Sequence, residues 1–254
     1  MQKVKCEPEI HIGTCGWHYP HWSGPFYPPD VDQRGFLRHY ANQFRTVEIN
    51  NTFYQLPDKE TLLRWRETVP SDFLFAVKAN RYITHMKKLK DSEEPLARML
   101  EAVCVLGDKL GPILFQLPPR WHVNMKRLRS FLEVLPEQHR YAIEFRDRSW
   151  FDSWVYDLLR EHEVAFCIHD LARQASPKVI TSDVVYVRLH GPSGRYQGRY
   201  TQQMIARWAA AIWIWAREQR QIYCYFNNDV GGYATENALE LQQTLETLVS
   251  GGSH

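Results

Sequence analysis

The sequence predicts an α/β fold closed as a single (β/α)8 TIM-like barrel, with polar residues gathered at the C-terminal ends of the strands. Three observations carry this expectation. The chain has 254 residues, 44% hydrophobic and 24% charged, a globular composition at the length one α/β barrel fills. Eight short runs rich in Val, Ile, Phe and Tyr recur along it, as parallel strands covered on both faces require. Longer amphipathic stretches lie between them. An open doubly wound sheet would begin with G-x-G-x-x-G after its first strand; here Gly13 and Gly16 lead instead into Trp17, His18 and Tyr19.

The eight strands are expected at Ile10–Gly16, Thr46–Asn51, Phe73–Ala79, Pro112–Leu117, Tyr141–Arg146, Ala165–Asp170, Val184–His190 and Ile222–Asn227. Helical spacing places Phe36, Leu37, Tyr40, Ala41 and Phe44 on one face, and Leu128, Phe131, Leu132 and Leu135 on another. Leu241, Leu245 and Leu248 line a last helix, and Pro95–Leu106, Phe151–Glu161 and Thr201–Gln219 also read as helices. Only the connection after the sixth strand, Ala172–Ser182, lacks a long helical pattern. No linker or repeat divides the chain, which is expected to form one domain over 1–254 with flexible tails at 1–9 and 250–254.

Charge and cysteine usage narrow the function classes. Lys and Arg number 31 against 29 Asp and Glu, a net charge of +2, which disfavours a generic polyanion binder. Met1–Glu9 is polar, and no apolar run reaches the ~18 residues of a spanning helix; Trp208–Trp215 is short and flanked by Arg207 and Arg217. No membrane partner is expected. The five cysteines are odd in number and lack C-x-x-C spacing. Cys15, Cys167 and Cys224 sit in β-like runs and read as buried thiols of a cytoplasmic protein, not as disulfides or a zinc site.

The strand ends carry the chemistry. Strand two ends with Glu48 and Asn50, strand three with Lys78, strand four with Gln116, strand five with Glu144 and Arg146. Strand six ends at His169 and Asp170, strand seven with Arg188 and His190, strand eight with Asn227, Asn228 and Asp229. In a barrel these ends meet at one rim, where barrel enzymes place their active sites. Glu48 and Asn50, Glu144 and Arg146, and Arg188 and His190 each share a side of their strand at period two. Facing the helices unpaired would cost several kcal/mol, so these groups are expected at the mouth; the plain alternative is a satisfied ion network that plugs the barrel. Trp22, Phe26 and Trp150 in the loops read as core caps. Tyr196 and Tyr200, beside Gly194 and Gly198, read as a lid.

At these residues the sequence resembles the YecE-like domain of unknown function. The matching stretches are Gly13–Trp17, Trp22–Pro28, Thr46–Tyr54, Leu114–Pro119, Glu144–Arg146, Tyr186–Gly191 and Phe226–Asp229, in order over nearly the whole chain. The resemblance implies a TIM-like barrel and no established activity, and its barrel is similar to metal-dependent nucleases of the endonuclease IV type. Cys15 departs from the serine more usual in that pattern, which sets aside a hydroxyl role there.

The favoured expectation is an acid–base enzyme for a small anionic or phosphorylated, sugar-like ligand. Glu48, Glu144, Lys78 and His190 would move protons. Arg146 and Arg188 would clamp a carboxylate or phosphate. Asn50, Gln116, Asp170, Tyr196, Asn227 and Asn228 would read the rest of it. Three cations against two carboxylates leave one positive charge in that mouth, so a compact anion is favoured, and no metal or cofactor is expected. Two alternatives stand beside this. A metal-dependent phosphodiesterase would use Glu48, Glu144, His169, Asp170, His190 and Asp229. A nucleic-acid-binding protein would use Lys87, Lys88 and Lys90 with Lys126, Arg127 and Arg129.

Overall fold

The computed structural model describes residues 9–171, 175–218 and 220–251. Its strands are β1 (Ile10–Thr14), β2 (Thr46–Ile49), β3 (Leu74–Lys78), β4 (Leu110–Gln116), β5 (Tyr141–Glu144), β6 (Ala165–Phe166), β7 (Ile168–Asp170), β8 (Val184–Leu189) and β9 (Gln221–Phe226). All pair in parallel, in two runs ordered β2-β3-β4-β5-β6 and β1-β9-β8-β7. β6 and β7 are one predicted strand interrupted at Cys167, whose N–H still donates to the Ile143 carbonyl at 2.9 Å. At the other seam Cys15 bridges Glu48 in parallel, and the Gly16 N–H donates to the Glu48 carbonyl at 2.9 Å. The two seams join the runs in the order of an eight-stranded barrel.

Among the described residues seven α-helices follow the strands: α1 (Phe36–Gln43), α2 (Lys59–Thr68), α3 (Glu93–Val103), α4 (Met125–Leu132), α5 (Ser153–Glu161), α6 (Gln202–Arg217) and α7 (Tyr233–Gly251). Four open on side-chain caps, Asp58, Asn124, Asp152 and Thr201, each accepting a hydrogen bond from a first-turn N–H. α2 lacks a clean apolar stripe, burying Leu62 alone, and its Asp58 cap is its clearest sequence mark. The described part of the connection before β8, residues 175–183, holds no helix, as expected. Residues 1–8 and 252–254 of the expected tails lie outside the described residues; α7 carries Ser250 and Gly251.

The main core lies between strands and helices, where Trp22 and Trp150 are fully buried and Phe26 packs edge-on against Trp22. A second cluster fills the inside of the barrel: Cys15, Ala76, Leu114, Ala142, Ala165, Cys167, Val184, Tyr186, Tyr223 and Tyr225. Its small members leave room above them for long side chains to cross the axis. Gly13 marks the tightest strand contact, since a Cβ there would run into the Thr46 carbonyl.

Candidate functional site at the barrel mouth

Five of the expected residues meet in one buried network. Arg188, 1% exposed, reaches across the barrel from β8. Its Nη1 donates to Glu144 Oε2 at 2.6 Å and its Nη2 to Glu48 Oε1 at 2.7 Å. Glu48 Oε2 also accepts from the Tyr186 hydroxyl at 2.6 Å. Arg146 pairs with the other oxygen of Glu144. His190 Nε2 lies 3.6 Å from Glu144 Oε1 and 2.9 Å from Arg146 Nη2. Period two puts Tyr186, Arg188 and His190 on one side of β8, which is why all three point inward. Burial alone would raise the Glu144 carboxyl, but the charges of Arg146 and Arg188 beside it win and hold it well below the usual carboxylate range.

Proton placement at His190 follows from its partners. Arginine only donates, so Nε2, at 2.9 Å from Arg146, is the acceptor and Nδ1 carries the hydrogen. The Asn227 amide, 3.0 Å from Nδ1, then presents its oxygen to the ring, an orientation assigned from the network. Burial first, then the charges of Arg146 and Arg188, keep His190 well below the ordinary imidazole pKa. It is therefore neutral at pH 7.

Lys78 stands apart. Its ammonium sits 4.1 Å above the Phe53 ring, and among the described residues no carboxylate lies within 4.0 Å of it. Burial, then the Arg188 charge, lowers its pKa from 10.5 to about 8, although Glu48 and Glu144 pull the other way. Phe53 also meets the His85 ring edge-on at 5.0 Å. His85 lies in a π-helical turn, Tyr82–Met86, a feature frequent at functional sites. Its pKa falls to about 4, through burial and then the charges of Lys78, Arg81 and Arg146. Phe53, His85 and Tyr186 are not among the site residues the sequence predicts. Tyr186 was signalled by its spacing from Arg188; His85 had no periodic signal.

Other expected residues fall outside the network. Asn50 follows the end of β2 with helical backbone angles, so strand alternation no longer applies; it lines a groove toward α1 and α2. Gln116 is buried at the end of β4. Asp170 is half-buried near Tyr200 and Lys178, and burial raises its pKa. Asn228, fully buried, donates to the Gly198 carbonyl at 2.9 Å and to Asn237 Oδ1 at 3.0 Å, so it anchors the loop after β8. Tyr196 packs beside His190, rings 5.8 Å apart. Tyr200 is not part of a lid: it is 1% exposed, and its hydroxyl accepts from the Gly191 N–H at 3.0 Å. Loop glycines made that stretch look too polar for core.

The alternatives fare as follows. Among the described residues, no three His, Cys, Asp or Glu side chains group as metal ligands; Glu48 and Glu144 are bound by arginines. Of the basic clusters, the second lies in α4, where Arg127 donates to the Lys88 carbonyl at 3.2 Å and Arg129 pairs with Glu161 at 3.3 Å. Cys15, Cys167 and Cys224 are buried free thiols and Cys104 is exposed; Cys6 lies outside the described residues. No helix among the described residues is long and apolar enough to cross a membrane.

The profile of the family described as "Protein of unknown function DUF72" matches residues 11–252. The UPF0759 protein YunF of Bacillus subtilis is 28% identical over 276 residues, spanning 95% of this chain and 96% of that protein. The UPF0759 protein YecE of Escherichia coli K12 is 32% identical over 145 residues, 56% of this chain and 50% of that protein. The crystal structure of TM1631, a DUF72 family protein from Thermotoga maritima, gives a TM-score of 0.82 at 29% identity, covering 94% of this chain and 99% of that one. The resemblance carried by the motifs is borne out.

Proposed function

The chain belongs to the DUF72 family of proteins of unknown function, and we propose that its barrel mouth is an acid–base site for a small anionic or phosphorylated, sugar-like molecule. Lys78 is the observation that carries this reading. The two buried carboxylates are already answered by Arg188 and Arg146, while the Lys78 ammonium rests on an aromatic ring with no carboxylate within 4.0 Å among the described residues. A ligand carboxylate or phosphate would supply the missing charge.

The roles then divide by depth. Glu48, Glu144 and Arg188 form the floor and fix the local field. Lys78 anchors the anion, and with a pKa of about 8 it exchanges a proton readily near neutrality. An anion that draws Arg146 outward would free His190 Nε2 to accept a proton. Gln116, Asn227 and Tyr196 are within the same strand-end layer and would meet hydroxyl groups. The buried, unpaired thiols fit a reducing, cytoplasmic setting.

Titration with inorganic phosphate and with acetate at pH 7, followed by calorimetry, tests the reading. Lys78→Met should weaken both at least tenfold, and wild-type affinity should fall as pH rises above about 8. Equal binding by the wild type and the variant would sink the proposal.

A further inference from the structure

A second concave site opens beside the mouth, between the loop after β1, the end of β2, and helices α1 and α2. Its volume is about 770 Å³, within the range of small-molecule sites. The floor is apolar: Trp17 and Leu37 are buried, and Trp65 meets Trp17 with perpendicular rings 4.8 Å apart. Asn50 lines the wall, and its side-chain oxygen is buried with no hydrogen-bond partner among the described residues. Such an acceptor is costly to leave unmet. At the rim stand Arg34 and Arg64, both exposed. Neither has a carboxylate within ion-pair distance among the described residues; the Arg64 guanidinium donates to the Thr61 hydroxyl at 3.1 Å, and its charge reaches the Asp58 carboxylate.

These three features ask for three parts of one ligand. A flat ring suits an indole-lined floor. A ring N–H or sugar O–H would satisfy Asn50. A phosphate suits two exposed guanidinium groups that stand in no ion pair among the described residues. We propose that this groove binds a nucleoside phosphate, independently of the reading of the barrel mouth. The ring lies over Trp17 and Trp65, a donor reaches Asn50, and the phosphate meets Arg34 and Arg64.

Adenosine 5′-monophosphate is the probe, with adenosine and inorganic phosphate as its separated halves. NMR of the tryptophan indole N–H signals reads the groove directly, because Trp17 and Trp65 line it. The nucleotide should shift both signals and bind at least tenfold tighter than either half. Asn50→Ala and the double variant Arg34→Ala/Arg64→Ala should each weaken it at least tenfold; the arginines are exposed, so the fold survives their loss. Unmoved Trp17 and Trp65 signals at millimolar nucleotide would overturn the proposal. So would adenosine binding as tightly as the nucleotide, or wild-type affinity in the double arginine variant. Phosphate binding that depends on Lys78 reports on the mouth instead, so either site can fail alone.

Discussion

Arg188 and Lys78 stand on the inner side of strands near the same end of the barrel, and their surroundings are opposite. Arg188 spans the axis with both Nη groups on carboxylates, and Tyr186 completes one of them. Its charge is answered twice, by Glu48 and Glu144. Lys78, on β3, rests on Phe53 with no carboxylate within 4.0 Å among the described residues. One cation is built into the fold and the other is left for something else. A charged residue at a strand end thus says little until its partners are counted.

The largest test of that contrast is Arg188→Met. It leaves Glu48 without a cation and Glu144 with Arg146 alone, and breaking such a network typically costs about 3–5 kcal/mol. Urea unfolding should show this loss, or no folded protein at all. Adding Glu48→Gln to the same variant should restore part of the stability, because that buried charge then disappears with its partner, while Glu144 keeps Arg146. If the double variant is no more stable than the single one, the Glu48 pair is not the reason Arg188 matters.

Next comes Tyr186→Phe, which deletes one hydroxyl donating to Glu48. Hydrogen bonds to charged groups contribute about 1.5–3 kcal/mol, and chemical denaturation should return a loss in that range. An unchanged midpoint would mean that Arg188 alone satisfies Glu48. Smaller again is Asn228→Ala, which removes two hydrogen bonds holding the loop after β8. A loss of about 1–2 kcal/mol is expected, with faster amide exchange at Gly198. Exchange rates equal to the wild type would show that Asn237 and Tyr200 secure the loop unaided.

Much of this was legible in the residues. The apolar runs placed all eight strands because a strand buried on both faces can hardly be written otherwise. Period two located Glu48, Glu144, Arg146, Arg188 and His190 in one place, because a charge inside such a strand has one affordable direction. Asn50 escaped the rule because the chain turns helical there, and alternation ends where extended backbone ends. Tyr200 was misplaced because the glycines and arginines around it describe the loop's surface, while its own ring turns into the core. The division between Arg188 and Lys78 was not legible at all. It depends on which side chains reach across the barrel, and spacing along one strand does not encode that.

The smallest effect concerns Lys78 and is read through pH. Its pKa falls from 10.5 to about 8 in the folded protein. Between those values the unfolded chain holds a proton that the folded chain has released, so stability gains from Lys78 as pH rises from about 8 toward 10.5. Below about 8 both states are protonated, and the burial penalty is present in full. The whole displacement corresponds to about 3 kcal/mol as a ceiling. Solvent over a half-buried amine reduces this to on the order of 1 kcal/mol. Lys78→Met should therefore be slightly more stable than the wild type at pH 7, and the difference should shrink as pH climbs through 8 to 10. Saturating phosphate should reverse the order at pH 7, because the anion stabilises only a protein that still carries the ammonium. If the two proteins keep a constant difference from pH 7 to 10, Lys78 is not the unanswered cation that sets the mouth apart from the network beneath it.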